Sequence, residues 1–155
     1  MRQLPTSHTR QSMADVTNSR RVIPNRELFT VIRDMLLEGQ SVRVAVEGQS
    51  MIPFFRSGST VVVRPLRDGD LRKLNVVFAD TGRSFVIHRI IAIDNERVTL
   101  LGDGNPRTPE VVERKKIYGI VDCSPLHLAL ARVWVWMRPV RRWPLAIFRR
   151  IIPNK

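Results

Sequence analysis

Ser50, His88 and Asp103 are the residues whose types and order could perform acyl transfer. Ser50 stands between two valine-rich runs, His88 lies within the apolar run FVIHRIIAI, and Asp103 lies between two glycines in LLGDGNP. A serine hydroxyl becomes an effective nucleophile when a base takes its proton, and a carboxylate can orient that base. Taken singly, the serine could cap a helical turn, the histidine could be a core group, and the aspartate could be a turn residue. Together they predict a nucleophile, a base and an acid.

The elements that must position these side chains are mostly strands. NRELFTVIRDMLLEG places apolar residues on one face of a predicted helix, with Asn25 as its N-cap and Gly39 as its stop. Strands are predicted for six segments that are rich in valine and isoleucine and are separated by turn sequences: SVRVAVE, STVVVRP, NVVFAD, SFVIHRIIAID, ERVTLLG and KKIYGIVDC. We therefore expect a mostly β domain with an N-terminal helix.

Four segments together resemble a known family. GQSMIPFFRSGSTVVV, LNVVFADTGRSFVIHRIIAI, VTLLGDGNP and YGIVD are similar, in order and spacing, to the boxes of the signal peptidase I family within the S24/S26 serine peptidases. The resemblance covers residues 41–123. It implies a signal peptidase/LexA-like β-rich catalytic fold with Ser50 as nucleophile, His88 as base and Asp103 as the acid. The backbone amides of Ser50 and Met51 are expected to hold the oxyanion.

The base distinguishes this chain from most bacterial members of that family, which use a lysine. A histidine at position 88 resembles the archaeal and endoplasmic-reticulum type, and its ordinary pKa of about 6.5 suits a base near neutral pH. Arg89 cannot serve as the base because a guanidinium stays protonated in proteins. Lys73 precedes the strand that should present the base, and we expect it to be a solvated charge.

Two positions depart from the family pattern. Related Ser-His enzymes carry a further acid after the Gly-Asp-x-Asn box, and the nearest candidate here is Glu110, one position beyond the alignment. Either Asp103 or Glu110 could therefore support His88. Gly48 stands where many members have a serine whose hydroxyl helps to hold the oxyanion, so backbone amides must do more of this work.

The formal charge of +12 implies an anionic partner, and residues 126–155 suggest which one. They contain no acidic residue and include all three tryptophans and seven cations, namely Arg132, Arg138, Arg141, Arg142, Arg149, Arg150 and Lys155. Tryptophan, arginine and aliphatic residues together are typical of an interfacial amphipathic helix, here divided by Pro139 and Pro144. We predict an anionic membrane surface as the partner and consider nucleic acid unlikely to bind. The alternative is that Leu128, Val133, Val135 and Leu145 pack against the β domain.

The chain is predicted to contain three parts: a disordered polar arm (1–24), a peptidase domain (25–124) and a basic amphipathic tail (125–155). No apolar run is long enough to cross a bilayer, and the N-terminal residues lack the apolar centre of an export signal. These features predict a protein at the cytoplasmic face of a membrane, with the cytoplasm as the alternative. Cys123 is the only cysteine, and we expect neither a cofactor nor a bound metal.

The predicted function is that of a serine endopeptidase, a hydrolase that cleaves signal or leader peptides. The resemblance implies small side chains one and three positions before the cut. A LexA-like regulator is one alternative, although neither an Ala-Gly nor a Cys-Gly self-cleavage site occurs and only one helix is predicted before the first strand. A non-catalytic membrane-binding module with this fold is the other.

Overall fold

The computed structural model describes residues 25–105 and 107–137. Within these ranges helix α1 spans Asn25–Leu37 and helix α2 spans Pro125–Trp136. The strands are β1 (Val42–Ala45), β2 (Thr60–Pro65), β3 (Val76–Asp80), β4 (Phe85–Asp94), β5 (Arg97–Leu101), β6 (Glu110–Glu113) and β7 (Ile117–Val121). A 3₁₀ turn, Arg114–Lys116, precedes β7.

The seven strands of the described residues form one antiparallel sheet in the order β1-β2-β7-β3-β4-β5-β6. The expectation of a mostly β fold with an N-terminal helix is confirmed, and the described part of the predicted tail contains the helix α2. β4 is the longest strand and lies between β3 and β5, so its backbone is paired on both edges. His88 and Arg89 lie next to each other on this strand, point to opposite faces of the sheet and are both buried.

Helix α1 closes one side of the sheet. Its sequence repeats apolar residues at helical spacing, and the face with Phe29, Ile32 and Leu36 packs on Val63 and Phe78. The helix ends at Leu37, two residues before the predicted stop at Gly39. A second apolar cluster, on the other part of the sheet, is formed by residues of β3, β4, β5, β6 and β7, including Val77, Ile90 and Leu100.

Strand β6 was not among the six predicted strands. It is only four residues long, lies at the edge of the sheet and pairs with β5 alone. The residues Glu-Val-Val-Glu do not alternate, because the two valines are adjacent, and Pro109 precedes them. The strand matters because it begins with Glu110, which pairs across from Leu100.

The basic tail is partly described and its first part packs on the β domain. Helix α2 begins at Pro125, and the Ser124 hydroxyl caps it by accepting from the His127 backbone N–H at 3.2 Å. Ala131 and Trp134 are buried, Leu128 and Val135 are half-buried, and Val133 is exposed. The predicted boundary between domain and tail at residue 124 therefore stays a prediction. Neither α-helix of the described residues combines the length and hydropathy needed to span a bilayer.

Several predictions fall outside the described residues. These are the polar arm at positions 1–24, the helix breaks at Pro139 and Pro144, the packing of Leu145 and the cations beyond Met137.

Candidate active site

Ser50 lies in a tight turn between β1 and β2. The turn is closed by Phe54 and Phe55, whose backbone N–H groups both donate to the Met51 carbonyl at 3.0 Å. Met51 and Ile52 are buried at 1% and 0% exposure, so they anchor the turn in the core while Ser50 itself is half-buried. The Ser50 carbonyl accepts from the Gly104 backbone N–H at 2.7 Å. Residues 50–55 are called the nucleophile turn below, after the role that the sequence predicts for Ser50, and this hydrogen bond ties the turn to the loop that follows β5.

His88 contacts Glu110, not Asp103. The His88 Nδ1 and Glu110 Oε2 atoms are 2.7 Å apart, with the two side chains 9% and 30% exposed. A neutral imidazole that donates from Nδ1 to a carboxylate leaves Nε2 free to accept a proton. This geometry is what a general base requires from its orienting acid.

Gly102 allows the His88 imidazole to approach the backbone of Ser50 closely. Continuing the β4–β5 register from the Arg89 and Leu101 pair places Gly102 opposite His88. A Cβ atom at Gly102 would lie 3.2 Å from His88 Nε2 and 2.5 Å from the Ser50 carbonyl oxygen. Only glycine leaves room there, so Nε2 faces the nucleophile turn.

Asp103 has a different partner from the one expected. Its carboxylate accepts three hydrogen bonds from the Arg89 guanidinium at 2.6 to 3.0 Å, with both side chains buried. The contact expected between Asp103 and His88 is therefore not formed, and of the two acids considered for His88 the structure places Glu110 beside it. His88 and Arg89 are neighbours on a strand and point to opposite faces, so one carboxylate serves the guanidinium and another serves the imidazole.

Arg89 also contacts the turn before β3 and helix α2. Its Nη1 donates to the Leu74 carbonyl at 2.6 Å, and Leu74 has a left-handed backbone with φ of 79°. Such a conformation at a leucine is costly and persists because the surroundings hold it in place. On the other side, Arg89 Nη2 lies 3.4 Å from His127 Nε2, and the guanidinium lies over the Phe54 ring at 5.0 Å.

The inner face of α2, formed by His127, Ala131 and Trp134, is called the α2 anchor below. The His127 ring lies between Phe54 and Phe55, at centroid distances of 4.8 and 5.0 Å. Trp134 Nε1 donates to the Asp103 carbonyl at 3.1 Å. The anchor therefore contacts both the nucleophile turn and the loop after β5.

A cavity of about 210 Å³ brings Ser50 and His88 together. Its lining includes residues 45–47 and 50–51 on one side, residues 85–88 on the other, and Phe29 and Phe78 below. Ser50 Oγ has no hydrogen-bond partner in residues 25–105 and 107–137, so the two groups share a wall without a direct bond. Such bonds often form only when substrate binds.

The structure accounts for two further residues considered in the sequence, the exposed Lys73 and the glycine at position 48. Lys73 is exposed and does not line the cavity, as expected of a solvated charge. Gly48 has φ of +80°, a conformation that a serine rarely adopts, and its backbone N–H donates to Ser57 Oγ at 3.3 Å. The turn before the nucleophile is thus built with a backbone that excludes a side-chain donor at this position.

Comparison with known families assigns the fold and the coarse chemistry. A family model described as Peptidase S24-like matches residues 13–122. The chain belongs to the peptidase S24-like family. A search of curated proteins found no match. The S24-like match includes Ser50, His88 and Glu110 but ends before α2, and it supports serine peptidase chemistry in general. It does not single out the signal peptidase branch.

One feature of this S24-like site, the Arg89–Asp103 pair, was missed from the sequence although a signal for it existed. An arginine within the apolar run FVIHRIIAI requires a carboxylate partner, because a buried unpaired charge is very costly. Asp103, in an apolar run between glycines, is the acid best placed to supply it. Glu110 was named as the alternative acid, but its role depended on β6, which the sequence pattern did not reveal.

We expect Asp103→Asn to destabilise the fold, because it removes the countercharge of a guanidinium that is 0% exposed. Breaking one side of a buried pair costs about 3 to 5 kcal/mol. The free energy of unfolding from urea titration measures the effect. Asp34→Asn, which breaks the exposed Arg33 pair, is the control and should cost less than about 1 kcal/mol. A similarly small loss for Asp103→Asn contradicts the structural role.

The second prediction concerns pH and His127. Burial lowers the pKa of His127, and the neighbouring Arg89 lowers it further. The folded pKa thus lies below the unfolded value of about 6.5, so stability is greatest above that pH and declines as pH falls through the folded pKa. Unfolding midpoints between pH 8 and pH 5 should fall less steeply for His127→Gln than for the parent. Parallel curves for the two proteins contradict this assignment.

Proposed function

We propose that the chain is a serine endopeptidase in which Ser50 is the nucleophile, His88 the general base and Glu110 the acid that orients His88. The observation that carries the proposal is the 2.7 Å contact between His88 Nδ1 and Glu110 Oε2 beside a cavity that Ser50 also lines. It directs His88 Nε2 toward the nucleophile turn. The S24-like membership supports the same chemistry.

The proposed reaction proceeds by acyl transfer. His88 Nε2 takes the proton from Ser50 Oγ as the oxygen attacks the scissile carbonyl, and then gives it to the leaving amine. The same imidazole then takes a proton from a water molecule that attacks the acyl carbon, and it returns this proton to Ser50 Oγ as the ester bond breaks. The Ser50 and Met51 backbone N–H groups have no acceptor within residues 25–105 and 107–137, which leaves them available to the oxyanion.

The substrate proposed is a signal or leader peptide with small side chains before the cut. The cavity is small and its lining is mixed, with apolar side chains that include Val46, Met51, Phe78 and Ile87 beside the polar Glu47, Ser50 and His88. An extended peptide lying between residues 45–47 and 86–88 could pair with the backbone on either side. Small apolar side chains suit such a cavity because larger ones would have to displace the packed walls.

A LexA-like regulator that cleaves its own chain is the second candidate, and the S24-like match favours it equally. The two candidates differ in the bond that is cut. Incubation of purified protein followed by mass spectrometry distinguishes them, because self-cleavage shortens the chain and cleavage of an added leader peptide does not.

The nucleophile and base are tested by labelling with a fluorophosphonate probe, which needs no known substrate. Ser50→Ala should abolish labelling, and His88→Gln should slow it about a hundredfold or more, because the base activates the hydroxyl. Ser84→Ala, at an exposed serine, is the control and should label at the parental rate. Labelling of Ser50→Ala at the parental rate contradicts the proposal.

Glu110→Gln tests the orienting acid. Labelling should slow by a factor on the order of 10³, because the amide no longer fixes the tautomer of His88, while the unfolding free energy stays nearly unchanged at this partly exposed position. Glu113→Gln, an exposed acid on the same strand, is the matched control. Equal rates for both variants would remove Glu110 from the site.

A further inference from the structure

The outer face of α2 is apolar and exposed. Leu126, Leu130, Val133 and Trp136 are 69%, 54%, 53% and 81% exposed. Their spacing of four, three and three residues places them on one side of the helix, away from the α2 anchor. Soluble monomers rarely expose so many large apolar side chains together, and such patches mark interaction sites. This set is called the outer face below.

Cations border the outer face. A groove of about 620 Å³ lies between α2 and the loop before β3, and Arg72, Lys73 and Arg132 line it. None of the three forms a salt bridge within residues 25–105 and 107–137. Two acids also line the groove, but Asp70 is bound by Arg64, which leaves Asp68 against three cations. The groove is therefore a net cationic site.

The cationic groove and the outer face of α2 lie next to each other. Arg132 precedes Trp136 by one helical turn, so it lies where the groove meets the outer face. A surface with apolar side chains beside unpaired cations is complementary to a bilayer that carries negative headgroups. The sequence that follows, residues 138–155, adds six cations and no acid.

The charge of the chain argues against a second copy as the occupant. Each molecule carries a formal charge of +12, so two outer faces, each bordered by cations, would repel one another. Nucleic acid would satisfy the cations but would offer nothing to bury four large apolar side chains.

We propose that the outer face of α2, with Arg72, Lys73 and Arg132, docks on an anionic phospholipid bilayer. The apolar side chains enter the headgroup boundary, and the cations contact lipid phosphates. The biological role of this docking rests on the proposed peptidase function. The α2 anchor contacts Phe54, four residues after Ser50, so docking holds the nucleophile turn near membrane-bound leader peptides.

The test uses the full chain carrying Ser50→Ala, so that the result does not depend on cleavage. Binding is measured by flotation with vesicles of phosphatidylcholine alone and of phosphatidylcholine with about one third phosphatidylglycerol, a composition chosen to give a strongly negative surface. The parent should bind the anionic vesicles, and binding should weaken as salt is raised.

The apolar contribution is tested with Leu126→Asn/Leu130→Asn. We expect this pair to weaken binding to anionic vesicles at least tenfold while the unfolding midpoint stays unchanged, because both side chains are exposed in the folded protein. Val31→Asn/Leu37→Asn, two exposed apolar positions on α1, is the matched control and should bind as the parent does. The proposal is overturned if the Leu126→Asn/Leu130→Asn variant, called the α2 pair, binds anionic vesicles as tightly as the parent does.

The charge contribution is tested with Arg72→Gln. Removing one cation near the surface should weaken binding about fivefold, equivalent to about 1 kcal/mol. Arg83→Gln is the matched control, since Arg83 is exposed in the β3–β4 turn at the opposite end of β3. Equal losses for both variants would reduce the effect to net charge and overturn the groove as a site.

Two other occupants would be recognised by the same variants. If residues 138–155 cover the outer face, the α2 pair lowers the unfolding midpoint without changing lipid binding. If a second copy covers it, the parent sediments as a dimer and the α2 pair as a monomer. Either result overturns membrane docking but leaves the peptidase proposal intact, because fluorophosphonate labelling is measured without lipid.

Discussion

The guanidinium of Arg89 is the charge around which the candidate site is built. It is completely buried, and a charge in that position must be paired and hydrogen-bonded, or the fold would be strongly destabilised. Asp103 supplies the countercharge, Leu74 a carbonyl, and His127 and Phe54 the remaining contacts. These groups come from four separate segments, so satisfying one side chain fixes how the loop after β5, the turn before β3, the nucleophile turn and α2 meet.

This arrangement explains why the two acids have separate tasks. Asp103 neutralises Arg89 and holds the 102–105 loop, whose Gly104 N–H binds the Ser50 carbonyl. Glu110 is more exposed and contacts His88 alone among the ionisable side chains of the described residues. The first acid supports the geometry of the site, and the second is placed to influence proton transfer. A carboxylate already bound by three charge-assisted hydrogen bonds is poorly suited to orient an imidazole as well.

The sequence predicted the helix and strands better than it predicted which side chains contact each other. Alternating valines and helical spacing identified α1 and six strands, because burial of one face imposes a period that a single sequence displays. Ser50 and His88 line one cavity as their order suggested. The partner of His88 could not be assigned, because it depends on the edge strand β6, and register across a sheet is a tertiary property. The docking of α2 was similarly hidden: Trp134 and Trp136 are two residues apart, yet one is buried and the other is 81% exposed.

The contacts of α2 indicate what a bilayer could change at the site. A surface can shift the conformation of a protein only if it binds one state more tightly than another. Here the Arg89–Asp103 pair, the His88–Glu110 contact and the Trp134 hydrogen bond are all formed without any lipid. The site is thus assembled before docking, so a bilayer has little left to organise. Under the proposed function, the effect of docking would be one of location, because a peptidase and a leader peptide confined to the same surface meet at a higher effective concentration without any new contact at Ser50.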